Sequence, residues 1–548
     1  MDKYWESKNW QPTVTETSRC MHPFISLNPK QVESHRERLQ VSTQTLKTFP
    51  HIPEHWRTRS EILLDLGFPE LAAADAYKAI VLINHVFDGG ALRSKVWFAM
   101  GMLMWIQDVA EGISWEVNFS ETDLAIQMVY WLKYERRMAY AQLIFALDHL
   151  RSLHDMKVVS AEALEKYPDD SGFIIYHQYA TEEYETNRKA VDDLAACRLP
   201  EQIVWRATEM GNILIRTYPW AINVNTRTEQ SIDAANETLA RCSKVLRIRP
   251  STLIVPDSDN VSYGLFAIKD IYADEVVLEN RPALAVKASQ LEQHEKLLDS
   301  LIWKRETGSE VSGSCFNCYG DLGHSNQQYG FICCAHLYFC SKDCKDIAQT
   351  YYHNSQCGRN ISRVYAAVQE EKYHPSGPEF SGVIWLRLLA ICKQGGGHPL
   401  QSPLIANLAS HEANAGDPWS LEARVIAPLK ILEMLGIDVF SNQEYDTWVL
   451  ETLWQKVRIN ASGDEQEKEY GCWVDGSHAM FNHSCEDPPM IYSMPAGMGG
   501  AKYKWCAERD IKNGEEVFLS YVVDLPESTD ERRKMLRGWF SGAVSFAD

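Results

Sequence analysis

Seven of the 14 cysteines (Cys315, Cys318, Cys333, Cys334, Cys340, Cys344 and Cys357) fall within 43 residues, and the other seven are scattered singly. In a reducing compartment such a cluster points to metal before disulfide. Cys315-x2-Cys318 puts two thiolates on one tight turn, and Cys340-x3-Cys344 adds two more, the second at a helix start. Together they satisfy one tetrahedral zinc ion at roughly 2.3 Å. Zinc suits the set because it accepts thiolate and imidazole without redox chemistry. A second group is Cys333 and Cys334 with His353-x3-Cys357, where helical spacing puts His353 and Cys357 on one face. Four protein ligands leave no open position, so folding energy, not catalysis, is expected here.

Three further pieces surround the cluster. They are Tyr263-Gly-Leu-Phe-Ala-Ile-Lys-Asp-Ile271 followed by Glu275-Val-Val-Leu-Glu279, then Phe481-Asn-His-Ser-Cys485, then Arg509-Asp-Ile-Lys-Asn-Gly-Glu-Glu-Val-Phe-Leu-Ser-Tyr521. Each alone is short. In this order they resemble a SET domain split by a MYND finger, the architecture of the SET-and-MYND lysine methyltransferases, over about residues 250–540. Phe339-Cys340-Ser-Lys-Asp-Cys344 and His353-x3-Cys357 are similar to that finger. In the family the first and third ligand pairs share one zinc, and the second and fourth share the other. The family's second pair is Cys-x2-Cys. Here Cys334 takes the later place, Phe331 stands where the earlier cysteine belongs, and Cys333 or His336 is left to substitute.

The resemblance implies transfer of a methyl group from S-adenosyl-L-methionine to a lysine amine. A free lysine has a pKa near 10.4, so only about 1 in 2,000 is neutral and able to attack at pH 7. An apolar channel and a nearby sulfonium both favour the neutral form. By matching position, Tyr521 would be the catalytic tyrosine. Asn482 and His483 would hold the cofactor's amino group and adenine, and Asn460 would reach it from a helical insert. Gly264, Leu265 and Phe266 would line its other side, the glycine allowing close backbone approach.

The chain also departs from the family. Basic residues that help hold the cofactor carboxylate usually precede Gly-Leu; here Val261, Ser262 and Tyr263 stand there. Glu486-Asp-Pro-Pro-Met490 replaces x-Pro-Asn. The closing post-SET cysteines are absent, which leaves Trp539, Phe540 and Phe546 as the aromatic residues near the end. These departures keep two alternatives open. One is a SET-like scaffold that shapes a small polyene for ring closure in fungal secondary metabolism. The other is a non-catalytic protein-interaction adaptor.

The elements that must position these residues follow from periodicity. Residues 1–30 are polar and aperiodic, an expected flexible arm. Residues 31–250 read as helix, with apolar and alanine positions recurring at spacings of three and four. Trp56, Leu63, Ala72, Ala76 and Ala79 resemble one tetratricopeptide repeat, and Ala163 with Pro168 and Ser243 to Pro250 resemble ends of such units. An array would offer a concave face to a protein partner; a generic helical domain is the alternative. Thr252 to Val255 and Glu275 to Leu278 read as strands. The expected fold is therefore multidomain α+β. A SET N-terminal part (251–310) is followed by the finger (311–360), a helical insert (361–465), the SET core (466–527) and a residual C-terminal helix (528–548).

Composition sets the outer limits. The 548 residues are 45% hydrophobic and 23% charged, which is globular. No run reaches the roughly 18 apolar residues of a membrane span. The stretch Val96 to Ile106 is expected to be a buried helix. The N-terminus carries no secretory signature, so a soluble protein of cytoplasm or nucleus is expected. With 54 basic against 74 acidic residues the net charge is −20, which argues against direct nucleic-acid binding and would suit a lysine-rich substrate.

Overall fold

The computed structural model describes residues 27–110, 121–195, 210–214, 218–220, 227–253, 262–287, 314–320, 322, 329–334, 337–361, 364, 378–409, 416–466, 469–485, 490–494, 501–521 and 526–532. Most of the expected arm therefore lies outside the described residues. So do Val261, His336, Trp539, Phe540 and Phe546, and all of the expected C-terminal helix beyond 532. No helix among the described residues is long and apolar enough to cross a membrane. The chain divides into two compact units. One gathers Met1–Ile213, Gly416–Ile426 and Asp438–Trp448; the other gathers Leu214–Ala415, Ala427–Ile437 and Val449–Asp548.

The first unit is helical: α1 (Pro29–Thr48), α2 (Pro53–Asp65), α3 (Pro69–Phe87), α4 (Arg93–Ala110), α5 (Glu121–His149), α6 (Leu153–Lys166) and α7 (Ser171–Ala195). Proline opens α1, α2 and α3, where its missing N–H would have had no partner anyway. Asn28 and Gln31 form a capping box at the start of α1. Gly67, at φ 79°, turns α2 back into α3. Trp56, Leu63, Ala72, Ala76 and Ala79 are all buried. The alanines let the two helices close until Ser60 Oγ donates to the Ala72 carbonyl at 2.7 Å. The expectation of a buried helix at Val96 to Ile106 is corrected. Val96 and Met100 are buried, but Phe98 is 72% exposed and Met102 and Ile106 are exposed beside it. An apolar run on a surface helix still leaves one face turned outward.

A buried ion network ties the 438–448 segment into this unit. Arg59 donates to both oxygens of Asp75 (2.6 and 2.9 Å) and both oxygens of Asp446 (2.9 Å each). Lys78 donates to Asp446 at 3.3 Å and to Thr447 Oγ1 at 3.0 Å. Two cations and two anions balance, and both cations lie over the Trp56 ring, at 5.0 and 4.4 Å from its centroid. Such a set survives burial only because every charge is paired.

The second unit carries the β structure. Its largest sheet has the order β2 (Leu246–Pro250), β3 (Tyr263–Ala267), β12 (Glu516–Leu519), β9 (Asn482–His483). The β2–β3 and β3–β12 pairs are antiparallel, but β12 and β9 are parallel, with Phe518 opposite Asn482 and Leu519 opposite His483. A second sheet joins β10 (Ile491–Met494), β11 (Tyr503–Ala507) and β4 (Val276–Asn280). A third joins β5 (Leu284–Lys287), β8 (Glu469–Val474) and β7 (Ala461–Gln466). Leu265, Ile248, Val517, Val277, Ile491 and Phe481 share one core.

The helical reading up to Pro250 is corrected at its end. Leu-Arg-Ile-Arg alternates buried and exposed as β2, a strand period, while Thr252 and Leu253 lie just past the strand and residues 254–261 are outside the described set. A short strand, β1 (Gly211–Leu214), also interrupts the helical stretch. The helix Glu229–Cys242 turns directly into β2, and Asn236 bonds both backbone groups of Ile248.

Candidate functional site

The cysteine cluster resolves into two groups. Cys315, Cys318, Cys340 and Cys344 place their sulfurs within 4.8 Å of one another. The Cys318–Cys340 and Cys340–Cys344 separations are 3.5 and 3.6 Å. Four sulfurs at about 2.3 Å from one tetrahedral ion would stand about 3.8 Å apart, so the set fits zinc without rearrangement. Ser341 caps the helix Lys342–Tyr351 and thereby fixes Cys344 in its first turn. Arg281 Nη1 lies 3.6 Å from Cys344 Sγ and Asn317 Nδ2 lies 3.8 Å from it. Donors around a sulfur favour its thiolate, the form that binds metal.

Cys333, Cys334, His353 and Cys357 form the second group. His353 Nε2 lies 3.3 Å from Cys333 Sγ, and Cys334 and Cys357 are 3.8 Å apart. Sequence spacing left Cys333 and His336 both open as the fourth ligand; the geometry brings in Cys333. Phe331, in the family's cysteine place, stacks flat on the His353 ring (centroids 3.7 Å apart, planes at 13°). It packs the ligand that it cannot replace.

The second constellation lies where β3, β12 and β9 meet. Glu516 is buried and its carboxylate accepts four hydrogen bonds: from Asn482 Nδ2 (2.8 Å), Ser251 Oγ (2.7 Å), Thr252 N (2.8 Å) and Thr252 Oγ1 (2.7 Å). Asn482 Nδ2 also reaches Ser251 Oγ and the Tyr263 carbonyl, each at 3.2 Å. Its amide plane is thus locked, with Oδ1 left without a partner among the described residues. A Cβ on Gly264 would stand 2.1 Å from Glu516 Oε1 and 2.8 Å from Asn482 Nδ2. The glycine is required by this carboxylate, a residue that sequence reading did not single out.

His483 Nδ1 accepts from the Tyr521 backbone N–H at 3.0 Å, and Nε2 faces Cys485 Sγ at 3.1 Å. Burial pushes the imidazole down to about 4, so it is neutral at physiological pH, with the proton on Nε2 as the Nδ1 contact demands. The Tyr521 hydroxyl donates to the Phe481 carbonyl at 2.6 Å, and burial raises its pKa well above the ordinary value. Tyr263, Asn482, His483 and Tyr521 all keep partial exposure.

The remaining predicted residues fall differently. Leu265 points into the core, so only its backbone can face a ligand. Phe266 is buried opposite Glu516 in the β3–β12 pair. Asn460 ends the helix Thr447–Asn460 and donates to the carbonyls of Ala409 (2.9 Å) and Lys456 (2.7 Å). Among the described residues no hydrogen bond or ring contact joins it to Gly264, Asn482, His483 or Tyr521. The structure therefore brings together Gly264, Asn482, His483 and Tyr521, and sets Asn460 at a helix end, bonded to the loop at Ala409.

No curated protein matches the chain. Strand β3 with Gly264, strand β12 with Tyr521 just beyond it, and the parallel strand β9 all fall inside one family match: residues 262–522 match the SET domain, a family whose members are generally lysine methyltransferases.

Proposed function

We propose that the chain is a protein-lysine methyltransferase of SET-and-MYND type that uses S-adenosyl-L-methionine. The observation that supports this most is the meeting of Gly264, Asn482, His483 and Tyr521, contributed by segments over 200 residues apart, at one end of the sheet. When bound, the cofactor supplies an electrophilic methyl group.

The chain's own residues would orient and exclude water. Asn482, locked by Glu516, Ser251 and Tyr263, presents a lone acceptor suited to an ammonium group. Gly264 gives the backbone approach that a side chain would block. Tyr521 stays protonated, since burial holds its pKa high. Its proton goes to Phe481, and its oxygen would accept from an incoming amine. Tyr521 thus orients the amine and does not take its proton. The two cysteine-rich groups are read as a MYND-type pair of zinc sites that brace this unit, and α1–α7 as tetratricopeptide-like hairpins that offer a surface to a protein partner.

The test is transfer of labelled methyl to a lysine-rich peptide. Tyr521→Phe is expected to cut the rate by roughly 100-fold. A rate unchanged by that substitution, or no labelled lysine from the wild-type chain, contradicts the proposal.

A further inference from the structure

Lys456 and Arg227 are among the cations that lie inside the SET-bearing unit without a carboxylate partner among the described residues. Five consecutive residues, Ile405 to Ala409, turn their carbonyls toward donors. Lys456 Nζ takes those of Ile405 (3.5 Å), Ala406 (3.3 Å) and Leu408 (2.7 Å), Arg227 Nε takes that of Asn407 (3.2 Å), and Asn460 takes that of Ala409. Lys456 is fully consumed by its three carbonyls. Arg227 has four further N–H groups, and the side chain is only partly covered.

The topology says where Arg227 sits. It directly precedes Thr228, the N-cap of the helix Glu229–Cys242. That helix runs back along β2, with Asn236 clamped to Ile248. Its N-terminal end therefore points toward Pro250, which pairs with Tyr263. The next two residues, Ser251 and Thr252, hold Glu516, and Glu516 holds Asn482. Arg227 thus stands at the same end of the sheet as Gly264, Asn482 and Tyr521. Its charge is felt there: the Tyr263 and Tyr521 hydroxyls both interact with it, and burial without a counter-anion pushes its pKa below the ordinary value.

We propose that Arg227 is the carboxylate anchor of the cofactor recess, supplied from the helix ahead of the SET domain in place of the basic residues missing before Gly264. The inference rests on the methyltransferase reading above and names the residue that reading lacks. A planar guanidinium with free N–H groups suits a carboxylate better than any other ligand group of the cofactor. Its charge beside Tyr521 would also disfavour protonation of an amine placed there.

The test is calorimetric titration of the full chain with S-adenosyl-L-methionine and with its decarboxylated analogue. The wild-type chain is expected to bind the intact cofactor roughly 10- to 150-fold more tightly. Arg227→Gln should erase that preference while leaving affinity for the analogue nearly unchanged, with a thermal melt to check folding. Arg227→Lys, which keeps the charge but not the planar fork, should give an intermediate preference. Equal wild-type affinity for both ligands, or a preference that survives both substitutions, overturns the anchor and leaves the methyltransferase reading standing. Binding of neither ligand by the wild-type chain overturns both.

Discussion

Substituting Glu516 tests how the candidate site is built. Its two carboxylate oxygens accept four bonds between 2.7 and 2.8 Å, two at Oε1 and two at Oε2. Glutamine is the same shape but accepts at one oxygen only, so with its amide nitrogen in the Oε2 place the Thr252 N–H faces another donor, while the Thr252 hydroxyl can turn to accept. A hydrogen bond to a charged group contributes about 1.5–3 kcal/mol. The amide nitrogen will turn toward Thr252, which is exposed and can be rehydrated. The net loss is then about 1.5–3 kcal/mol, that of one charge-assisted contact. Urea denaturation followed by tryptophan fluorescence reads it directly. Gly264→Ala should cost a similar amount, because its Cβ would enter the same carboxylate. If Glu516→Gln shifts stability by less than about 0.5 kcal/mol, the size of an ordinary surface change, then Glu516 does not organise Asn482 and Gly264.

Three other outcomes follow from the geometry. Metal analysis of the purified chain should find zinc in both cysteine groups, Cys344→Ala should empty the first, and a strong chelator should lower the melting temperature. His478 and His483 are both pushed down to about 4 by burial. The unfolded chain therefore binds more protons between pH 6.5 and 4. Stability falls as pH drops through that window, by about 1.5 kcal/mol for His478 between pH 6.5 and 5 and by less for the part-exposed His483, and denaturant midpoints at the two pH values check it, with His483→Gln removing the smaller share of the effect. Asp446→Ala leaves Arg59 and Lys78 buried beside Asp75 alone, and should destabilise the chain by about 3–5 kcal/mol in a thermal or urea melt.

What sequence made visible was local. Cys315-x2-Cys318 and Cys340-x3-Cys344 sit on one turn and one helix start, so spacing alone pairs them. Asn482 and His483 are adjacent, and strand β9 needs only those two residues. What it hid depends on distance or on partners. Arg59, Asp75 and Lys78 carry no motif, and their network closes only through Asp446, 387 residues after Arg59. Glu516 is one of two adjacent glutamates, and only its burial against Gly264 gives it a role. Leu246 to Ile248 alternates every second residue, but the run is short and follows a long helix, so the helical period was carried one element too far. Arg227 carries no motif. Its place is set by the helix it precedes and by a loop 180 residues further on.

The central claim is that Gly264, Asn482, His483 and Tyr521 form one cofactor recess. Equilibrium binding of S-adenosyl-L-methionine to the wild-type chain and to Asn482→Ala tests it most directly. The expected result is one saturable site in the wild-type chain and a loss of at least about 10-fold in affinity on removing the Asn482 side chain, one charge-assisted contact. No binding to the wild-type chain, or equal binding to both, would contradict it.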